Sequence, residues 1–160
     1  MRITCAGERP LLGLHPGSGS PRKTWPAERF AEVAGYWLAR RGHVLAVAGP
    51  ADDAALGDFM SAVDAEQGGG VFEMRNESLP RLAAALERCD VFVGGDSGPM
   101  HMAAAVRTPT IAIFGPTDPA VWRPLAPRVS VVVPPEGKGD LAALRPQAVI
   151  GEIEKLLAGP

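Results

Sequence analysis

Four glycine-containing segments of the 160-residue chain bring together side chains suited to chemistry. The first is His15-Pro16-Gly17-Ser18-Gly19-Ser20-Pro21-Arg22-Lys23-Thr24-Trp25, longer than the about 2–6 residues that usually connect a strand to a helix. Its glycines let backbone N–H groups approach an anion, its serines add hydroxyl donors, and Arg22 and Lys23 place positive charge just ahead of a helix. That chemistry suits a phosphate or diphosphate, although composition alone fits a flexible connection with two solvated cations equally well. The P-loop pattern G-x-x-x-x-G-K-S/T can be laid on Gly17 to Thr24, but Arg22 stands where the second glycine must be and would crowd the cradle. The G-x-G-x-x-G fingerprint fails at the same position.

The second segment is Gly94-Gly95-Asp96-Ser97-Gly98-Pro99-Met100-His101. The N–H groups of Ser97 and Gly98 would point out of a helix N-terminus toward an anion, and Asp96 would accept hydrogen bonds from sugar hydroxyls. The plainer alternative is that Asp96 and Ser97 only cap the helix, with His101 partly buried against local backbone. A serine-hydrolase elbow needs G-x-S-x-G and meets Pro99 instead, so the hydrolase survives only as an alternative using His101 and nearby aspartates. In Gly49-Pro50-Ala51-Asp52-Asp53 an acid is placed either to take ribose hydroxyls or to cap a helix. Gly115-Pro116-Thr117-Asp118-Pro119 offers a hydroxyl and a carboxylate, or a simple proline-fixed turn. Cys89 reads as a buried, inert thiol, and Trp25 and Trp122 as packing anchors.

These segments need a scaffold, and short apolar runs alternating with helical patterns supply one. The runs are Leu11 to Leu14, Val44 to Ala48, Val71 to Met74, Val91 to Val93, Thr110 to Phe114 and Val129 to Val133. Between them, Phe30, Val33, Ala34, Trp37 and Leu38 recur at helical spacing, as do Leu56, Phe59, Met60 and Val63, and Leu79, Leu82, Ala83 and Leu86. A further helix is expected from near Pro99 to about Val106, and a last one from Pro146 to about Leu157 that buries Val149, Ile150, Ile153, Leu156 and Leu157. The pattern predicts an α/β fold: a doubly wound, Rossmann-like parallel sheet of about six strands, ordered 3-2-1-4-5-6. Ligands of such sheets bind beyond the carboxyl ends of the strands, where strand order reverses. All four segments fall at that edge.

Composition narrows the functional classes. Sixteen Lys+Arg against 18 Asp+Glu give a net charge of −2, and no block of like charge suggests a nucleic-acid surface. With 46% hydrophobic and 21% charged residues the chain can bury a core, yet no apolar run approaches the ~20 residues that span a bilayer. No signal peptide is visible, and Cys5 and Cys89 make no disulfide framework, which points to a reducing cytoplasm. Residues 1–10 read as a tail or linker stub, 11–160 as one domain, and Pro134 to Asp140 as an exposed loop.

Taken together, His15-Pro16-Gly17-Ser18, Lys23-Thr24-Trp25-Pro26, the Gly49-Pro50 loop, Gly95 to His101, and Phe114 to Pro119 resemble the C-terminal half of the ADP-heptose:lipopolysaccharide heptosyltransferases. These are two-domain GT-B glycosyltransferases, and the resemblance runs from about Leu11 to Pro124. It implies nucleotide-sugar donor binding, with Ser18 and Lys23 on the phosphates, Ser97 and Gly98 N–H groups on the diphosphate, Asp96 near the sugar and Asp52 on the ribose. His101 and Thr117 belong to the same expected donor set. The implied reaction is inverting, metal-independent transfer of heptose from ADP-heptose to the lipopolysaccharide inner core, at the cytoplasmic face of the inner membrane. No cofactor is implied beyond the substrate. The expectation includes an acceptor domain missing from this chain, which carries the general base, so no catalytic base is assigned here and the chain alone is expected to be inactive. A nucleotide-sugar-binding or epimerase-like module is the alternative that would use the same crevice without transfer.

Overall fold

The computed structural model describes residues 9–63, 70–137 and 139–159. Among these, the strands are β1 (Leu11–His15), β2 (His43–Ala48), β3 (Val71–Arg75), β4 (Val91–Gly95), β5 (Thr110–Ile113) and β6 (Val129–Val132). The helices are α1 (Ala27–Leu38), α2 (Asp53–Ala62), α3 (Leu79–Arg88), α4 (Gly98–Ala105), α5 (Pro119–Trp122) and α6 (Pro146–Ala158). All strands pair in parallel in the order β3-β2-β1-β4-β5-β6, as the alternation of runs and helices predicts.

Successive strand residues point to opposite faces, and the core divides accordingly. Leu12, Leu14, Val91, Val93, Ile111 and Ile113 pack on one face with Phe30 and Val33 of α1, Leu56 and Phe59 of α2, and Val149 and Ile153 of α6. Val47, Phe92 and Ala112 pack on the other with Leu86 of α3 and Met100 and Ala103 of α4. Each large aliphatic or aromatic side chain fully buried in this way contributes about 1.5–3 kcal/mol. Gly13 is required on the second face, because a Cβ there would meet Phe92 Cδ2 at 2.8 Å and Cys89 Sγ at 2.9 Å. Cys89 is a buried thiol, as read from sequence, and its Sγ donates to the Ala85 carbonyl at 3.5 Å.

Several expectations need correction. Leu79 is 68% exposed, because the first turn of α3 projects past the carboxyl edge of the sheet, and Leu157 in the last turn of α6 is 42% exposed. Trp122 is no packing anchor. It is 55% exposed at the end of α5, a four-residue helix that the sequence pattern does not signal and that Asp118 caps by accepting the Ala120 N–H at 2.9 Å. Within the loop expected over Pro134 to Asp140, Pro134 is buried, and Lys138 lies outside the described residues. Of the expected tail, residues 1–8, including Cys5, lie outside the described residues. Pro10 already belongs to the fold: its carbonyl accepts from Trp37 Nε1 at 3.1 Å and from the His43 N–H at 2.7 Å.

Candidate functional site

The strand order reverses at β1, which lies between β2 and β4, and the segments after β1, β2 and β4 meet at its carboxyl end, while Gly115 to Pro119 follows β5 at the same edge of the sheet. His15, the last residue of β1, is 2% exposed and sits at the centre. Its Nδ1 lies 3.0 Å from Ser97 Oγ and its Nε2 lies 3.0 Å from Asp52 Oδ2. Asp52 Oδ2 also accepts the Gly49 N–H at 2.9 Å, and Ser97 Oγ lies 3.1 Å from the Gly95 carbonyl.

Both partners of His15 occupy N-cap positions, Asp52 for α2 and Ser97 for α4, and neither side chain caps its helix. Such caps stabilise a helix by about 0.5–2 kcal/mol. Here the hydroxyl and the carboxylate turn inward to the imidazole, which leaves the first turn of α4 without a side-chain cap. A Cβ added at Gly98, the first residue of that turn, would meet nothing within 4 Å. An uncapped, open helix N-terminus carries partial positive charge and N–H donors facing the crevice.

A cation stands beside it. Lys23 Nζ donates to Asp96 Oδ2 at 3.1 Å, and His101 Nε2 lies 3.7 Å from Asp96 Oδ1. Asp96 therefore neither caps α4 nor stands free, and His101, with its side chain 43% exposed, faces a carboxylate rather than local backbone. Lys23 ends a short 3-10 turn, Pro21–Lys23, that draws the long first loop into a compact shape. Within that loop Ser18 Oγ donates to the Ser20 carbonyl at 2.6 Å and contacts Thr24 Oγ1 at 2.7 Å, so its hydroxyl is turned to its own loop. Arg22 is exposed. On the other side of the crevice, Thr117 Oγ1 is buried without a hydrogen-bond partner.

Beside α4 a cavity of about 330 Å³ opens between the end of β2 and α3, walled by Val47, Met74, Leu79, Leu82, Pro99 and Met102. The exposed Leu79 forms part of the wall of this mostly apolar slot, whose lining also includes Asn76 and Glu77. A larger cavity, about 950 Å³, lies beneath Cys89 and Arg107 at the opposite edge of the sheet, away from all four segments.

Sequence reasoning placed Lys23, Asp96, Ser97, Gly98, His101 and Thr117 on these loops. It missed His15 as their common tie and the inward turn of Asp52, whose Oδ2 is held by His15 and the Gly49 N–H. The available signal was a histidine ending a buried strand at the switch point.

Burial keeps the His15 imidazole below its ordinary 6.5, outweighing the opposing pull of the Asp52 carboxylate. Burial pushes the Asp52 carboxyl up, but hydrogen bonds from His15 and the Gly49 N–H outweigh it, and the group lies below its ordinary 3.8. At neutral pH a neutral imidazole therefore meets an ionised carboxylate. Below 6.5 an unfolded chain takes up a proton at His15 that the folded chain refuses, so stability is lost as pH falls from 6.5 toward the folded value. Asp52 adds its loss only at lower pH, below 3.8. Melting temperature should fall on acidification through the first window, and His15→Gln, which has no titrating ring, should flatten it. Parallel curves for the two proteins would mean that His15 titrates alike in both states.

A six-stranded parallel sheet in the order β3-β2-β1-β4-β5-β6, with helices on both faces, places the chain in the doubly wound α/β class, whose ligands bind beyond the carboxyl ends of the strands at the switch point. Residues 2–142 match the family described as Glycosyltransferase family 9 (heptosyltransferase), and the chain belongs to that family. Lipopolysaccharide heptosyltransferase 2 of Salmonella typhimurium is 32% identical over 172 residues, covering 98% of this chain and 49% of that protein. The solved structure of Escherichia coli ADP-heptose lipopolysaccharide heptosyltransferase II matches with a TM-score of 0.87 at 30% identity, over 95% of this chain and 47% of that one. A family 9 glycosyltransferase from Veillonella parvula matches with a TM-score of 0.85 at 26% identity, over 96% and 48%. The chain spans about half the length of the curated relatives it matches.

Proposed function

We propose that this chain binds the ADP-heptose donor of a lipopolysaccharide heptosyltransferase at the carboxyl edge of its sheet. The observation that carries the reading is the meeting of Lys23 and Asp96, 3.1 Å apart, at the uncapped start of α4. Relatives named as lipopolysaccharide heptosyltransferases, and a solved structure whose name includes ADP-heptose, support the choice of donor.

In this reading Lys23 and the N–H groups of Ser97 and Gly98 hold the diphosphate, and the base enters the apolar slot beside Pro99. Asp96 and His101 face the sugar. Thr117 offers the donor its unpartnered hydroxyl, Ser18 shapes the loop that presents Lys23, and Asp52 supports the site from behind through His15. Inverting transfer forms a bond from the acceptor oxygen to the anomeric carbon as the bond to the diphosphate breaks. Charge then grows on the departing ADP, and fixed donors aimed at it lower the barrier. Lys23 and the α4 N-terminus supply that charge stabilisation without a metal ion, so ADP affinity should be insensitive to EDTA.

A base must take the proton of the acceptor hydroxyl. None is assigned among these residues, and Asp118 is engaged as a helix cap. The base and the lipopolysaccharide inner-core acceptor belong, in this proposal, to the part of the relatives' length that this chain does not match. In this proposal the whole protein acts on that acceptor at the cytoplasmic face of the inner membrane, as a peripheral partner. Among the described residues no helix is long and apolar enough to cross a membrane.

Asp96 provides the test. Asp96→Ala removes the sugar contact but also releases Lys23 for the phosphates, so affinity for ADP-heptose should fall while affinity for ADP holds or rises. Titration calorimetry with both ligands decides. Equal losses for the two would mean that Asp96 only organises the loop, and failure of the unmodified chain to bind ADP would remove the donor reading altogether.

A further inference from the structure

We infer that His15 is a positioning residue for donor binding: it ties Ser97 to Asp52 and so holds the start of α4 at the place where the diphosphate docks. The inference rests on the donor-site reading above and adds to it a residue that does not itself touch the donor.

Three features converge on His15. It links segments 37 and 82 residues away in sequence, one through each ring nitrogen, while itself 2% exposed. Each partner is an N-cap residue that gives up capping to reach it. The first loop also leans on the same tie, because a Cβ on Gly17 would stand 2.0 Å from Asp52 Oδ1. The loops after β1, β2 and β4 are thereby set against one another through one imidazole.

The proton arrangement follows from the partners. An ionised Asp52 can only accept, so Nε2 carries the ring proton and donates to it; Nδ1 is then a lone pair, and the one Ser97 hydroxyl proton is shared between Nδ1 at 3.0 Å and the Gly95 carbonyl at 3.1 Å. The hydroxyl is fully directed inward, and the donors left facing the crevice are backbone N–H groups. Their direction is set by where His15 holds Ser97. Displacements of about 1 Å in such constellations can cost up to about 100-fold in function.

A neighbouring reading of the same atoms is a hydrolytic relay, since Ser97, His15 and Asp52 are the components of a catalytic triad. The extended backbone of Ser97, φ −156° and ψ 165°, and the direction of its hydroxyl away from the crevice favour the positioning role.

The test is ADP titration of the 160-residue chain carrying His15→Leu, His15→Gln, Ser97→Ala and the double change His15→Leu with Ser97→Ala, with a melting curve for each. His15→Leu should weaken ADP binding about tenfold or more. His15→Gln, whose amide can donate to Asp52 and accept from Ser97, should stay within about threefold of the unmodified chain. The double variant should bind no worse than the weaker single one, because His15 acts through Ser97. Losses that multiply in the double variant, or a His15→Gln as weak as His15→Leu, would overturn the inference and leave His15 a packing residue. Should His15→Leu not fold, nitrogen-15 histidine NMR of the unmodified protein decides: the proton on Nε2 is required, and the opposite tautomer overturns the assignment. Labelling of Ser97 by a fluorophosphonate would overturn it in favour of the relay. If the unmodified chain binds no ADP, the donor reading falls and takes this one with it; if it binds and every His15 variant binds equally, only this inference falls.

Discussion

Truncating Trp25 to alanine is expected to destabilise the chain by about 3–5 kcal/mol, the range for deleting a buried aromatic side chain. Trp25 is 1% exposed, packs edge-on against Phe30 with ring centroids 4.9 Å apart, and donates from Nε1 to the Leu144 carbonyl at 3.1 Å. It closes the first loop onto α1 and onto the chain that leads into α6, so a cavity there cannot be filled without moving one of them. Equilibrium urea unfolding measures the loss. Trp25→Phe serves as the control: most of the apolar volume stays, the Leu144 carbonyl loses its partner, and the expected cost is nearer to about 1–3 kcal/mol. A loss for Trp25→Ala no larger than that control would show that the site collapses around the missing ring and that the loop is not anchored there.

Lys23→Ala should weaken ADP binding by about 10- to 150-fold, the equivalent of about 1.5–3 kcal/mol for a hydrogen bond to a charged group. The unliganded geometry sharpens the expectation. Lys23 is paired with Asp96, whose side chain is only 10% exposed, so removing the ammonium leaves an uncompensated carboxylate beside the diphosphate site. Part of the loss is therefore repulsion rather than missing attraction. Adding Asp96→Asn to Lys23→Ala should recover some ADP affinity, and the salt dependence of binding should flatten in both variants. Calorimetry at two ionic strengths reads all of this, and an unchanged affinity at low salt would return Lys23 to the solvated surface.

The elements were legible in the residues themselves because each has its own local period. Runs such as Thr110 to Phe114 and helical spacings such as Phe30-Val33-Ala34-Trp37 need no knowledge of distant chain, and α1 buries that face as read. The alternation of runs and helices was enough to point to the strand order that the sheet adopts. Local patterns misled at the edges. Leu79 and Leu157 satisfy a helical period, yet they sit in terminal turns where no strand remains to cover them.

Side-chain partnerships at the site were not legible in this way. By local rules Asp52, Asp96 and Ser97 read as caps, since an acid or hydroxyl ahead of a helix finds N–H groups within its own turn. The sheet overrides that. Pairing of Leu14 with Ala46 and of His15 with Gly94 sets the ends of β1, β2 and β4 side by side and delivers an imidazole between Asp52 and Ser97. A one-residue slip in either register would turn His15 to the other face of the sheet. Once buried, its two nitrogens cannot be left unsatisfied, because a desolvated polar group costs more than a helix cap returns. The residue types were therefore chosen in the sequence. Their partners were chosen by strand register, through contacts between segments that composition and spacing do not connect.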